Sequence, residues 1–370
     1  MTQKKHDKHP PLLRVNSGRL ARNEVTMLGT SCGQIRSTTV QLQELMPKLK
    51  IGYVDADHGG DDKPSVELAM ELIDQIGSHS LNINPSPETF SHHFLLNEAD
   101  LGVINGNHFD GDNQIVFLNP KKFESLERKS SRLTNVLAFV KTEEVEIPAF
   151  LKEHIRDWDS IPSFSMSELD SLADLILKDA AKPAPIKGLI LAGGRSTRMG
   201  QDKGAMVIHE KNQREHLLDM VTPLVDEAFL SCRQDQLEEL AAFNTIPDRM
   251  LDMGPMGAII SAFMSDPNAA WLVLACDLAM IDQQTVDRLV KERNPWKVGT
   301  SFKSPQSGFP EPLVAIWEPK SYQRLLSFLS LGYSCPRKVL INSDVEVLDI
   351  HDPGKLANVN TPEDLDLLKK

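Results

Sequence analysis

Between Leu191 and Lys203 the chain sets two adjacent glycines, Gly193 and Gly194, ahead of three cations, Arg195, Arg198 and Lys203. Paired glycines permit positive φ and let backbone N–H groups approach a ligand closely, and cations within the same loop suit a polyphosphate. Asp202 beside Lys203 tempers the charge, which argues against a surface for long nucleic acid. Downstream, Asp277 closes the apolar run Trp271-Leu-Val-Leu-Ala-Cys, and Asp248 follows Thr245-Ile-Pro. A carboxylate beside a triphosphate can hold a hard divalent cation. Asp277 is not needed as a helix cap, because Asp282 is better placed for that ahead of Gln283 to Val290. Asp248 also has a plainer reading as a polar turn residue.

These residues need a scaffold that brings strand ends together. Ile186, Leu189, Ile190 and Leu191 read as a strand buried on both faces, and the spacing predicts further strands at Val207-Ile208, Ala228–Cys232, Thr245-Ile246, Trp271 onward and Pro310–Trp317. Helices are predicted over Glu215–Leu224 and Ala258–Met264, the latter opened by Gly254-Pro-Met-Gly257, where glycine and a helix N-terminus would admit an anionic ligand. Asp252, just before it, is a further carboxylate to consider. Alternating strands and helices imply a mostly parallel sheet with its ligand crevice beyond the carboxyl ends of the strands, where Asp277 falls.

The string Leu191-Ala-Gly-Gly-x-x-x-Arg198-Met-Gly-x-Asp202-Lys203 closely resembles the signature of nucleotidyltransferases, and its Met-Gly-x-Asp-Lys ending resembles molybdenum cofactor guanylyltransferases in particular. The resemblance spans residues 186–370 and includes Gly254-Pro-Met-Gly257, the Cys276-Asp277 pair and Asn358-Val-Asn-Thr-Pro-Glu-Asp-Leu365. It implies transfer of GMP from GTP to molybdopterin with Mg²⁺ as cofactor. By the same likeness Lys203, Arg198 and Asp277 would be catalytic; Leu191, Ala192, Gly193, Gly194, Lys203, Asp248 and Asp277 would bind nucleotide; and Asp277 would hold the metal. Lys303, Arg337 and Lys338 would face the second substrate, and Asn360 would pack under the metal. The usual base-contacting Asn is replaced near Leu230 and Ser231, and Leu278-Ala279 stands where the family has Thr-Pro. Locally, Thr361, Pro362 and Asp364 read as a capped helix start. A cytidylyltransferase acting on the same pterin and a non-catalytic carrier of nucleotide or cofactor remain alternatives.

The first half predicts strands at Glu24–Leu28, Ile51–Val54, Leu101–Ile104, Gln114–Leu118 and Val136–Val140, and helices at Pro64–Ile76 and Glu168–Leu177. Gly29 to Thr39 reads as a loop opening a helix through Leu42, Leu45 and Leu49. The order of parts resembles, more distantly, the GTP-binding accessory protein of the same cofactor pathway. The phosphate loop departs from the pattern: from Gly29, residues Gln34, Ile35 and Arg36 stand where Gly, Lys and Ser/Thr are required. The favoured reading is a nucleotide-binding fold without hydrolytic chemistry. Asp55, Asp57, Asp61 and Asp62 could hold magnesium or be a solvated acidic loop.

The 370 residues, 41% hydrophobic and 25% charged, accommodate two α/β/α domains of three layers with mostly parallel sheets, the second a Rossmann-like nucleotidyltransferase fold. The expected division is a polar lead-in at 1–20, a P-loop-NTPase-like domain at 21–179, a proline-containing linker at 180–185 and the transferase at 186–370. A net charge of −12 argues against general nucleic-acid binding, and no signal peptide or membrane-length apolar run is present, so a cytoplasmic enzyme is expected. Recipient molybdoenzymes or cofactor-insertion proteins are the expected partners besides GTP and molybdopterin. Cys32, Cys232, Cys276 and Cys335 form no C-x-x-C pair and the histidines show no metal spacing, so the thiols read as buried or incidental.

Overall fold

The structure, a computed structural model, describes residues 20–56, 70–83, 89–193, 207–209 and 211–357. The chain divides into two compact units, Met1–Lys182 and Pro183–Lys370.

In the first unit the described elements are β1 (Glu24–Leu28), α1 (Cys32–Leu45), β2 (Ile51–Val54), β3 (Met70–Gln75), β4 (Ser78–Ile83), α2 (Thr89–Leu96), β5 (Leu101–Asn105), β6 (Gln114–Leu118), α3 (Phe123–Glu127), β7 (Val136–Lys141), α4 (Ala149–His154), β8 (Ser163–Ser165) and α5 (Leu169–Asp179). Six strands form one sheet in the order β2-β5-β1-β6-β7-β8, with every pairing parallel. Strands β1, β5 and β6 are buried along their whole length, as expected of central strands whose faces are both covered, with Glu24, Thr26, Asn105 and Gln114 among the buried residues. Leu126 of α3 and Leu151 of α4 pack on Leu28, Val116, Leu118 and Phe139, while α1 and α5 pack together.

Two segments depart from expectation. Met70–Gln75, predicted as the end of a helix, is a strand paired antiparallel with Ser78–Ile83. The two-residue turn between them places Gly77 at φ +84°, a conformation a helix interior does not supply and one that closes a hairpin. The loop after β1 is also far shorter than predicted. Ser31 accepts a bond from Gln34 N and caps α1, which starts at Cys32, so Gln34, Ile35 and Arg36 are helical and Ile35 is buried.

The second unit contains β9 (Ile186–Leu191), β10 (Val207–His209), β11 (Lys211–Asn212), α6 (Gln213–Val221), β12 (Glu227–Cys232), β13 (Thr245–Pro247), α7 (Gly254–Ser265), β14 (Ala270–Ala275), α8 (Gln283–Lys291), β15 (Gly299–Lys303), β16 (Pro310–Trp317), α9 (Lys320–Ser330), α10 (Pro336–Ile341) and β17 (Val345–Leu348). Its seven-stranded sheet runs β13-β12-β9-β14-β16-β15-β17, with β16 antiparallel to both neighbours. Alternate side chains of the central strands face opposite layers. Ile190, Leu272 and Leu274 meet Leu217 and Val221 of α6 and Leu289 of α8; Leu189, Trp271 and Val273 meet Ile259 and Phe263 of α7 and Leu325 of α9. The predicted helix over Glu215–Leu224 stops at Val221, because Pro223 cannot continue it and a short 3₁₀ turn follows. Ala184 belongs to this core and Ala181 N bonds Ile176 O at the end of α5.

Candidate functional site

Chain order fixes where this sheet opens. From β9 the chain moves outward through β12 and β13, then returns to the other side of β9 to form β14. Neighbouring connections leave in opposite directions there, and the carboxyl ends of β9 and β14 border a crevice. The register makes the two ends level: Leu191 pairs with Ala275 and, on the other side, with Ser231. Ala192-Gly193 and Cys276-Asp277 therefore leave the sheet side by side. Leu278 N bonds Ala275 O, closing a turn around Asp277, and buried Gln213 donates to Leu278 O at 3.2 Å to fix that turn on α6.

On the β12 side, Ala192 N donates to Ser231 O at 3.0 Å and Asp248 N to Cys232 O at 2.9 Å. Ser231 Oγ donates to Asp248 Oδ1 at 2.9 Å, and Arg233 Nη1 donates to Gly193 O at 3.1 Å. A β-carbon built on Gly193 would lie 3.4 Å from both Asp248 Oδ2 and Arg233 N. The edge thus gathers the Gly193 backbone, a guanidinium and a carboxylate. Burial pushes the Asp248 carboxyl up from its ordinary range, with the Ser231 bond and the Arg233 charge opposing.

On the β14 side, antiparallel β16 pairs Leu274 with Val314, so its register runs Glu311 toward Asp277. Glu311 is pushed up by burial, opposed by Arg337 at 2.7 Å, and the Asp277 charge adds to the rise. Arg337 is therefore engaged with a carboxylate, and Lys338 lies over the Tyr333 ring at 4.7 Å. Lys303 ends β15 and is exposed.

Among the sequence-predicted residues, the structure brings Leu191, Ala192, Gly193, Asp248 and Asp277 to one edge of one sheet. Gly194, Arg195, Arg198, Asp202 and Lys203 lie outside the described residues, as do Asp57, Asp61, Asp62, Asn358, Asn360, Thr361, Pro362 and Asp364. Asp252 sits exposed in a turn at φ +59°. Gly254 and Gly257 lie in the first turn of α7: Gly254 takes φ +53° with open space around it, and a β-carbon on Gly257 would lie 2.5 Å from Met250 O. Sequence reasoning missed Arg233, Glu311 and Gln213; a cation one residue past a predicted strand was the available signal for Arg233.

Residues 188–346 match the MobA-like NTP transferase domain. A molybdenum cofactor biosynthesis bifunctional protein of Synechocystis sp. is 32% identical over 213 residues, 56% of this chain and 61% of that protein, so the chain spans less than two thirds of that relative. A molybdenum cofactor guanylyltransferase of Pseudomonas paraeruginosa is 32% identical over 198 residues, covering 50% of this chain and 96% of its own length. A solved structure, molybdopterin-guanine dinucleotide biosynthesis protein A from Archaeoglobus fulgidus, shares 21% identity at a TM-score of 0.42, over 49% of this chain and 95% of that one. No helix among the described residues is long and apolar enough to cross a membrane.

Proposed function

The chain belongs to the MobA-like NTP transferase family, and from that premise we propose that it is a molybdenum cofactor guanylyltransferase acting in the cytoplasm. The terminal phosphate oxygen of molybdopterin attacks the α-phosphorus of GTP. A new P–O–P bond forms, the α–β bridge breaks, and pyrophosphate leaves with the electron pair. No covalent enzyme intermediate is required.

The observation that carries this reading is that Gly193, Arg233, Asp248 and Asp277 lie at the same edge, at the sheet's switch point. Phosphoryl transfer of this kind is accelerated by alignment and by neutralising charge, which is what those groups offer. Backbone N–H groups at the glycine pair would bind phosphate oxygens, and Arg233 holds Gly193 by its carbonyl. Arg198 and Lys203, which follow in the sequence, supply positive charge to the triphosphate. The donor set fits a hard divalent cation, since Asp277 is half-buried at the strand end with the Glu311 carboxylate in its electrostatic range. Bound there, Mg²⁺ would neutralise triphosphate charge and polarise the α-phosphorus. Asp277 would hold it, and Gln213 keeps the Asp277 turn in place.

In the first unit the short turn after β1 and the burial of Ile35 support a nucleotide-binding fold without hydrolytic chemistry. The experiment is pyrophosphate release from the full chain with Mg²⁺, molybdopterin and either GTP or CTP. Lys203→Ala and Asp277→Ala each abolish turnover while the protein stays folded, and near-normal rates in either count directly against the mechanism. A preference for CTP reassigns the base; nucleotide binding without pyrophosphate release makes the protein a carrier.

A further inference from the structure

The sequence separates Cys32, Asp55 and His108, and the fold of the first unit reunites them. Cys32 opens α1, Asp55 follows β2, and His108 lies in the turn after β5, all at the carboxyl edge of the parallel sheet. Cys32 Sγ lies 3.3 Å from His108 Nε2, Asp55 Oδ1 lies 3.8 Å from the same Nε2, and the three donor atoms all fall within 4.8 Å of one another.

The way they converge decides between two chemistries. In a Cys-His-Asp relay the thiol meets one ring nitrogen and the carboxylate orients the ring through the other. Here thiol and carboxylate both lie on the Nε2 side of the ring, at 3.3 and 3.8 Å, which is not the relay arrangement with the carboxylate on the other nitrogen. A cation among the three atoms satisfies thiolate, imidazole and carboxylate together. The carboxylate is also oriented: Tyr53 OH donates to Oδ2 at 2.6 Å, while Asn105 Nδ2 at 2.7 Å and Ala56 N at 2.8 Å donate to Oδ1. Metal-binding side chains carry outer partners of this kind. Cys32 and His108 further line a cavity of ≈ 350 Å³ with Ser31, Asn107, Lys122 and Lys129, which gives water or a small anion access to the remaining coordination position.

We propose that Cys32, Asp55 and His108 bind a zinc-class divalent cation, with water or a small anion from the adjoining cavity completing a four-coordinate site. One sulfur, one nitrogen and one oxygen suit zinc and disfavour magnesium, which wants oxygen ligands. Binding deprotonates the Cys32 thiol and releases its proton to solvent.

Cobalt(II) reports the site in the full chain after metal removal by a chelator. The expected result is a thiolate-to-cobalt absorption band that saturates at one ion per chain, is displaced by zinc and survives excess magnesium. Cys32→Ser and His108→Ala remove the band, Cys276→Ser and Cys335→Ser keep it, and Tyr53→Phe weakens affinity about 10- to 100-fold. An absent band, or one that persists in Cys32→Ser, overturns the proposal. The unmodified chain gives a readout that no folding defect can mimic. Zinc should slow iodoacetamide labelling of Cys32 by about tenfold or more, with recovery on adding chelator; a labelling rate indifferent to zinc also overturns it.

Discussion

Replacing Arg233 with Ala tests whether the end of β12 positions Gly193 for the nucleotide. The substitution removes the donor to Gly193 O at 3.1 Å and the cation opposing the rise of the Asp248 carboxyl. A hydrogen bond from a charged donor contributes about 1.5–3 kcal/mol. The Arg233 side chain is 29% exposed, so solvent screening lowers the expected loss to about 1–2 kcal/mol. If that energy is realised in the transition state, kcat/KM falls by about 5- to 30-fold. Global stability changes little, because the other partner, Asp235, is 70% exposed and such a pair contributes about 1 kcal/mol or less. The assay is steady-state pyrophosphate release with varied GTP, read beside a urea titration. Arg233→Lys keeps the charge but loses the planar fork that also grips Asp235, and should fall between the two. The acidic limb of the rate profile should move to higher pH, since Asp248 loses the neighbour that favours its ionised form. An Arg233→Ala enzyme within about twofold of the unmodified kcat/KM, with an unmoved acidic limb, refutes the positioning argument.

Arg293 and Glu318 form a bidentate pair at 2.6 and 2.8 Å with Glu318 only 1% exposed. Arg293→Met alone should cost about 3–5 kcal/mol in denaturant unfolding, and adding Glu318→Leu should recover most of it, since the penalty is the stranded carboxylate; equal losses in the single and double variants would contradict this. Burial raises the Asp248 carboxyl against the Ser231 bond and the Arg233 charge. An acid raised in this way stabilises the fold fully below its unfolded pKa and loses that contribution as pH climbs through the folded value. Asp248→Asn should therefore gain on the unmodified chain as pH rises above the ordinary carboxylate range, and urea midpoints whose difference is flat with pH would dismiss the raised value. Gly257→Ala meets the Met250 carbonyl at 2.5 Å and should cost about 1–3 kcal/mol. Gly254→Asn should be tolerated at φ +53°. Lost activity in Gly257→Ala at unchanged stability would favour the reading in which this glycine admits a ligand.

What could be read from the sequence was set by how local each cause is. Residues 115–118 and 271–275 announce themselves because a strand covered on both faces needs a continuous apolar run, and that requirement is met within the segment. The hairpin at Met70–Ile83 does not, because its side chains are largely exposed and its register depends on Gly77 closing the turn, so six residues with scattered apolar positions pass equally for a helix end. The same distinction divides the site. Asp277 and Asp248 are legible because each stands just past the carboxyl end of a parallel strand, the edge on which the crevice of an open α/β sheet lies. Arg233 matters only because β12 lies beside β9, and Glu311 only because β16 runs antiparallel and carries it back toward Asp277. No window of sequence contains either fact. Cys32, Asp55 and His108 are the extreme case: they lie 23 and 53 residues apart in the sequence, and the crossovers that interleave β5 between β1 and β2 put their three loops on one edge. A metal centre assembled from single residues on separate loops has no spacing motif to find. Its signature is topological, and in a parallel sheet the place to look for it is the carboxyl ends of adjacent strands.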